Sequence, residues 1–394
     1  MTNTTTIAAI TEFQEELSAI RRDLHQHPEI GYEEIRTGDR IAAYLSALGL
    51  PVHRGMGRTG VVSVIEGQRT DSGKSIGLRA DMDALPLQEL GALPYKSCVP
   101  GKMHGCGHDG HCAILLGAAK YLAQTRRFNG RVFLYFQPGE EGYAGAREMI
   151  KDGLFERFPA DKVFALHNWP SLPAGTIAFN SGPMMAAIDK FAIRVTGKGG
   201  HGAHPHQAVD PLLAAAQIVG AVHTIVSRNI NPIDSAVISF QSFQSGAPHA
   251  LSIIPGSADL HGMVKWFRKE TQTVLRERLL ATAESVAKAF GCAADVVYEE
   301  LYPPTINTPQ EAAVLARVAR RLLGDAQVMT EFEPSMGSED FSFMLMARPG
   351  AYFRLGQGMV DGRFLHHPGY DFNDATIPVG SAIFAGLAEE CLAL

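Results

Sequence analysis

The chain has 394 residues, 46% of them hydrophobic and 19% charged, with a net charge of −6 at neutral pH. That length suits two domains, and the acidic balance offers no basic stripe, so nucleic acid is not an expected partner. No apolar run is expected to cross a membrane. The polar, Thr-rich start from Met1 to Ile10 lacks the basic-then-apolar pattern of a signal peptide, and five scattered cysteines argue against a disulfide framework and for a reducing, cytoplasmic setting.

The first part of the chain alternates helix and strand signals. Residues 13–25 and 33–48 read as helices, ended by Pro28 and Gly49, and residues 61–65 and 76–80 read as strands. A helix is expected after Gly110, a strand over 132–136, a helix around 146–150 and a strand over 163–166. Such alternation predicts an α/β domain with a mostly parallel, helix-covered sheet. The texture changes near Ala187. A strand over 191–195 precedes a Gly/His loop, then a helix over 211–226 capped by Asp210, strands over 236–243 and 258–267, a helix over 270–290 closed by Gly291, and a strand over 293–301 stopped by Pro303 and Pro304. That order, βαββαβ, predicts an inserted ferredoxin-like α+β unit. Helix and strand signals then resume over 312–323, 351–355 and 378–392. The expected organisation is a discontinuous domain from 1–186 and 303–394, with an inserted domain over 187–302.

The densest chemistry lies between His104 and His111, where a thiol, three imidazoles and a carboxylate are interleaved with glycines. Sulfur plus imidazole is a transition-metal ligand set. Cys106 and His108 are two apart, so they share a metal only if the backbone loops between them. Glu140 and Glu141 follow the strand over 132–136 and a Gln137-Pro138-Gly139 turn. They can divide labour, one ligating a metal and the other taking a proton from a water. His167 ends the strand over 163–166, and Asp81 and Asp83 follow the strand over 76–80. These groups therefore all lie just past strand C-termini, the edge where open α/β sheets build their sites. His366 or His367 can complete a metal set. In the inserted segment, His201, His204 and His206 stand in a Gly-rich loop that can hold a second metal or aim one imidazole at a ligand. Met336 to Phe341 reads as a turn into a helix, with Ser338 as its cap.

Taken together, these pieces resemble the two-metal amidohydrolases and peptidases that include aminoacylase and carboxypeptidase G-type enzymes. The subgroup they are most similar to holds N-acyl-amino-acid amidohydrolases, hippurate hydrolases and plant auxin-conjugate hydrolases. The motifs that carry the resemblance run along almost the whole chain: Arg22 to His25 with His27-Pro28-Glu29, Arg79 to Pro86, Met103 to His111, Phe136 to Glu141, Leu166-His167-Asn168, Gly197 to His201, Met336 to Phe341, and Leu365 to Pro368.

The resemblance implies a catalytic domain with an inserted lid and dimerisation domain, and a homodimer. It implies two divalent ions, Zn, Mn, Co or Ni, with ligands Cys106, His108, Glu141, His167 and His366. Glu140 matches the general base, and His201 matches a lid histidine that polarises the scissile carbonyl, often in the partner subunit. Asp81, Asp83 and Asp109 are expected to support the ligands, with His111 beside them and His104 as plain loop. The implied reaction is hydrolysis of the amide of an N-acyl amino acid. A dipeptidase or carboxypeptidase with the same metal site, or a metal-dependent binding protein without catalysis, are the alternatives. Where relatives carry Asn-Val-Ile-Pro and Gly-Thr-Val-Arg in the lid, this chain has Ser252-Ile253-Ile254-Pro255 and Gly262-Met263-Val264-Lys265. Ser252, Lys265, Gly337 and Ser338 are accordingly the candidate substrate-binding residues.

Overall fold

The computed structural model describes residues 4–358 and 362–394. In chain order its main elements begin with helices α1 (Thr4–Thr11), α2 (Gln14–Gln26) and α3 (Ile35–Ala47), then strands β1 (Val52–Met56), β2 (Gly60–Glu66) and β3 (Ser75–Asp81). Next come α4 (His108–Thr125), β4 (Arg131–Gln137), α5 (Gly145–Lys151), β5 (Lys162–Trp169) and β6 (Ile177–Ala178). The middle of the chain forms β7 (Ala187–Thr196), α6 (Pro211–Asn229), β8 (Ala236–Ser245), β9 (Ser257–Trp266), α7 (Lys269–Ala289) and β10 (Ala293–Tyr302). The chain ends with α8 (Pro309–Leu323), β11 (Val328–Met329), α9 (Ser342–Ala347), β12 (Gly350–Gly356) and α10 (Ile377–Cys391).

Two compact units result. The first holds the chain up to Met184, Thr305–Pro334 and Asp340–Leu394; the second holds Met185–Pro304 and Ser335–Glu339. In the first unit one sheet runs in the order β1-β2-β4-β3-β5-β12-β6-β11. Its centre is parallel: β4 with β3, β3 with β5, and β5 with β12. Only β1, β2 and the β12–β6 pair run antiparallel. Strands buried on both faces must be apolar throughout rather than alternating, and every residue of β3 and β12 is buried. This is why the strand signals over 76–80 and 351–355 are largely apolar on both faces, each interrupted by one buried arginine, Arg79 and Arg354.

Helix α4 is buried on nearly every side through Leu122 and packs on α10, α2 and β3. Its close approach to α10 needs Gly117: a Cβ there would lie 2.5 Å from Ser381 Oγ, the hydroxyl that donates to the Ile114 carbonyl at 2.7 Å. Ile114, Leu115 and Leu116 have no exposed surface, and truncating any one to Ala would cost about 2–5 kcal/mol.

The second unit forms a four-stranded antiparallel sheet in the order β8-β9-β7-β10. Along β7, Asp189, Phe191, Ile193 and Val195 are buried while Lys190 and Arg194 are exposed, the alternation of a sheet with one covered face. Helices α6 and α7 cover it, burying Ile218, Val222, Leu275 and Leu279 against Ile193, Leu260 and Val264. The Asp210 carboxylate accepts from Leu212 N at 2.9 Å and so caps α6. Gly291 takes φ 75° just past α7.

Three expectations need correction. Helix α4 begins at His108, not after Gly110, because the polar first turn is held by buried contacts described below. Helix α9 begins at Ser342, so Ser338 caps nothing; its hydroxyl instead accepts from Lys265 Nζ at 2.7 Å. Finally, α6 is long and apolar enough, by length and composition, to cross a membrane. Its apolar side, Ala214, Ala215, Ile218, Val222 and Ile225, is packed within the second unit's core.

Candidate metal centre

The parallel register sets Asp81 beside Gln137 at the ends of β3 and β4, and His167 beside Arg354 near the ends of β5 and β12. Four groups of side chains therefore emerge at one edge of the first unit's sheet. Cys106 and His108 join them from the turn into α4. Gly107 between them has φ 88°, and a Cβ there would lie 2.6 Å from Asn168 Oδ1. Only glycine permits this turn, which aims a thiol and an imidazole two residues apart at one place. Past β4, Glu140 and Glu141 form an irregular turn in which Glu141 is non-helical.

The donor atoms of Cys106, His108 and His167 lie within 4.8 Å of one another, and so do those of Cys106, Glu141 and His366. Cys106 is common to both groups. Its Sγ is 3.4 Å from His167 Nε2 and 3.3 Å from His366 Nε2, and His366 Nε2 is 3.2 Å from Glu141 Oε1. His108, Glu140 and Glu141 form a third such group. For His108 and His167 the other ring nitrogen is committed elsewhere, which fixes the atom each offers. His108 Nδ1 donates to Asp83 Oδ1 at 3.3 Å and His167 Nδ1 to the Asn168 carbonyl at 2.8 Å. His108 Nε2 is buried without a hydrogen-bond partner among the described residues.

The electrostatics match cation binding. Burial, reinforced by Glu141, Glu140 and Asp81, pushes the Cys106 thiol well above its ordinary range. Burial works against a charged His108, yet Asp81, Asp83 and Glu141 outweigh it and raise that imidazole to about 10. Burial with neighbouring His111 and His108 drives His167 well below its ordinary value. A buried cluster this rich in carboxylates holds a proton where a metal cation fits, and a cation there would turn the thiol into a thiolate. The orphaned His108 nitrogen and the S, N and O donor set thus suit divalent ions.

The supporting residues form a buried network. Asp83 Oδ2 accepts from Glu141 N at 2.9 Å while its other oxygen takes His108, so one carboxylate orients two donors. Asp81 accepts from His111 Nδ1 at 2.5 Å and Arg79 Nη1 at 2.8 Å. Asp109 accepts from His25 Nδ1 at 2.9 Å. His104, expected as plain loop, is buried with neither ring nitrogen hydrogen-bonded among the described residues, and burial lowers it to about 4.

Sequence reasoning gave no role to several residues that shape the site. Glu34 Oε1 accepts from Gly139 N at 2.8 Å and its Oε2 from Thr59 Oγ1 at 2.7 Å, holding the turn before Glu140. Arg79 donates to Gln137 and to Asp340 Oδ1, and Asp340 Oδ2 accepts from Ala146 N. Asn168 Nδ2 reaches Tyr370 OH at 2.5 Å. Arg79, Gln137, Asn168 and Asp340 all stand inside motifs visible in the sequence. Glu34 had no signal beyond being one of two adjacent glutamates.

The other candidate residues lie in the second unit. His201 is exposed, pairs with Ile253 across a short ladder, and accepts from Ala203 N at Nδ1. The Ser252 carbonyl accepts from Gly202 N at 2.7 Å. Lys265 is buried and tied to Ser338, and the neighbouring Gly337 carbonyl accepts from Ala186 N at 2.8 Å.

Residues 77–390 match the family model described as Peptidase family M20/M25/M40. The chain is 41% identical over 382 residues to a hippurate hydrolase of Campylobacter jejuni, covering 97% of this chain and 98% of that one. It is 37% identical to an N-acetylcysteine deacetylase of Bacillus subtilis, covering 95% and 97%. Among solved structures it is similar to the YXEP protein of Bacillus subtilis, described as a dinuclear metal-binding peptidase of the M20 family, with a TM-score of 0.84, 33% identity and coverage of 97% and 99%. A buried S, N and O donor set at the strand ends, together with these matches along the whole chain, places it in the M20/M25/M40 peptidase family.

Proposed function

We propose that the protein hydrolyses the amide bond of N-acyl amino acids, of the hippurate or N-acetyl type, releasing a carboxylic acid and an amino acid. The observation that carries this reading is the pair of donor groups sharing Cys106 with Glu140 and Glu141 beside them. The names of the similar proteins, hippurate hydrolase and N-acetylcysteine deacetylase, support the substrate class.

In this reading His108, His167, Glu141, His366 and the shared Cys106 would hold two divalent ions, Zn, Mn, Co or Ni. Bound there, such ions supply Lewis acidity that lowers the pKa of a water and polarises a carbonyl. Glu140, buried and held toward the Asp340 amide at 3.4 Å, takes the proton from the attacking water and hands it to the leaving amine. Asp83 keeps His108 and Glu141 turned toward the cations. The first unit is the catalytic domain. The second, whose βαββαβ order and sheet order support a ferredoxin-like fold, acts as a lid and as the dimerisation surface. His201 donates to the carbonyl oxygen as charge develops on it, while Lys265, held by Ser338 and flanked by Gly337, and Ser252 read the substrate's acid group. Lysine offers a point charge where arginine would offer a fork. Five unpaired thiols fit a reducing, cytoplasmic setting.

The test is a substrate screen of the metal-reconstituted protein on hippurate, N-acetyl amino acids and dipeptides with free amines. Turnover concentrated on the N-acyl compounds is expected. Faster turnover of dipeptides would replace this reading by a dipeptidase, and tight binding of N-acyl amino acids without turnover would replace it by a binding protein.

A further inference from the structure

The proposed ligands do not all rest on regular structure. Cys106 and His108 stand at the start of α4, Glu141 follows β4, and His167 lies in β5. His366 comes from an irregular stretch, at φ 64° and with its side chain 53% exposed. Its backbone N–H donates to the Gly105 carbonyl at 2.8 Å. Further along, the stretch is held at Pro368, whose carbonyl accepts from Leu90 N at 2.8 Å, at Tyr370, whose hydroxyl meets Asn168 Nδ2, and at Asp371 and Asp374.

Both aspartates converge on Arg21 of α2, whose side chain has no exposed surface. Arg21 Nε donates to Asp374 Oδ1 at 2.7 Å and Nη1 to Asp371 Oδ1 at 3.1 Å. The same Nη1 is 3.5 Å from Asp109 Oδ2, and Asp109 is the residue after His108. Tyr95 stacks on the guanidinium at 4.6 Å and donates its hydroxyl to Asp371 Oδ2 at 2.7 Å. His25, one turn along α2, donates to the same Asp109 oxygen. One buried cation therefore joins the helix start that carries His108 to the stretch that carries His366.

We propose that Arg21 is a positioning residue for the metal centre, a clamp that holds the His366 stretch against the Cys106–His108 turn and so retains the ion bound by Cys106, Glu141 and His366. The inference rests on the ligand set proposed above. Arg21 touches none of those ligands and acts only through Asp109, Asp371 and Asp374. A planar guanidinium can face three carboxylates at fixed angles, which the single ammonium of lysine cannot. Outer residues that orient metal ligands carry large effects on metal affinity.

The test uses full-length Arg21→Lys and Asp371→Asn, with zinc affinities measured by competition with a chromophoric chelator. In R21K one zinc is expected to keep its wild-type affinity while the other binds about 10- to 100-fold more weakly, and excess zinc is expected to restore kcat. D371N is expected to shift the same ion by less, and R21K/D371N to be no weaker than R21K alone, because both act through one contact. Should R21K not fold, D371N carries the test, since Asp371 keeps 29% of its side chain exposed. Unchanged zinc affinities alongside a lowered urea midpoint would overturn the clamp and leave Arg21 as a fold-stabilising residue. His366→Ala separates the two ideas: if it loses no zinc, the ligand set fails, whereas loss of zinc in H366A alone means that only the clamp fails.

Discussion

Glu34 provides a prediction whose size follows from its surroundings. Its carboxyl has no exposed surface and holds the Gly139 amide and the Thr59 hydroxyl. Burial raises it; the Thr59 hydrogen bond holds it back and the Asp83 charge adds to the rise, leaving it at about 7 against an ordinary 4.5. The folded-state value lies above the unfolded one, so the unfolded chain gives up this proton first as pH rises. The stability contribution is therefore fully present below pH 4.5 and is lost as pH climbs through 7. For these two values the loss between pH 5 and pH 8 comes to about 2–3 kcal/mol. Glu34→Gln keeps an oxygen for Gly139 N–H and an amide for Thr59, and has no proton to lose. Urea denaturation of the metal-free proteins at pH 5 and pH 8 is the assay, because cations at the neighbouring site would pull Glu34 back toward its ordinary value. The wild type should lose 2–3 kcal/mol more than E34Q over that interval (about two pKa units of linkage). Parallel pH profiles for the two proteins would refute the reasoning.

Other outcomes follow from the same geometry. Cys106→Ala removes the one donor common to both groups, and metal analysis should find fewer than two ions per chain; full occupancy would exclude Cys106 as a ligand. Gly107→Ala forces a Cβ to within 2.6 Å of Asn168 Oδ1 at φ 88°. Left-handed backbone alone costs an L-residue about 1–2 kcal/mol, so the melting temperature and metal content should both fall, and a wild-type melting curve would show that the turn tolerates a side chain. Mixing inactive His201→Ala with inactive Glu140→Gln should restore part of the activity if His201 serves the partner subunit's site. No recovery, with heterodimers shown to form, would place its action within one chain.

Much of the fold was legible because parallel strands buried on both faces are nearly continuous in apolar residues. The expected strands over 76–80, 132–136 and 163–166 fall inside β3, β4 and β5, and the positions of Asp81, Glu140 and His167 follow from where those runs stop. β1 was not foreseen: Val52–Met56 is half-exposed at one end of the sheet and has apolar side chains only at its two ends, Val52 and Met56, so it has neither an apolar run nor clean alternation. The start of α4 was placed too late because its first turn is polar. Its charge is stabilised by contacts from His25 and Arg21, more than 80 residues away, that local pattern cannot reveal. The same limit hid Glu34 and Asp340, whose work lies in long-range hydrogen bonds to Gly139, Arg79 and Ala146. Ser338 misled because its residue type suits a cap, whereas its hydroxyl is taken by Lys265.

The central claim is that Glu140 moves the proton at a two-cation centre that cleaves N-acyl amino acids. Glu140→Gln measured for hippurate turnover and for metal content in the same preparation tests it most directly. Removing a general base of this kind costs about 10²–10⁴-fold, so kcat should fall by that much while two ions per chain remain. Turnover near wild type in the fully metallated variant would contradict the account.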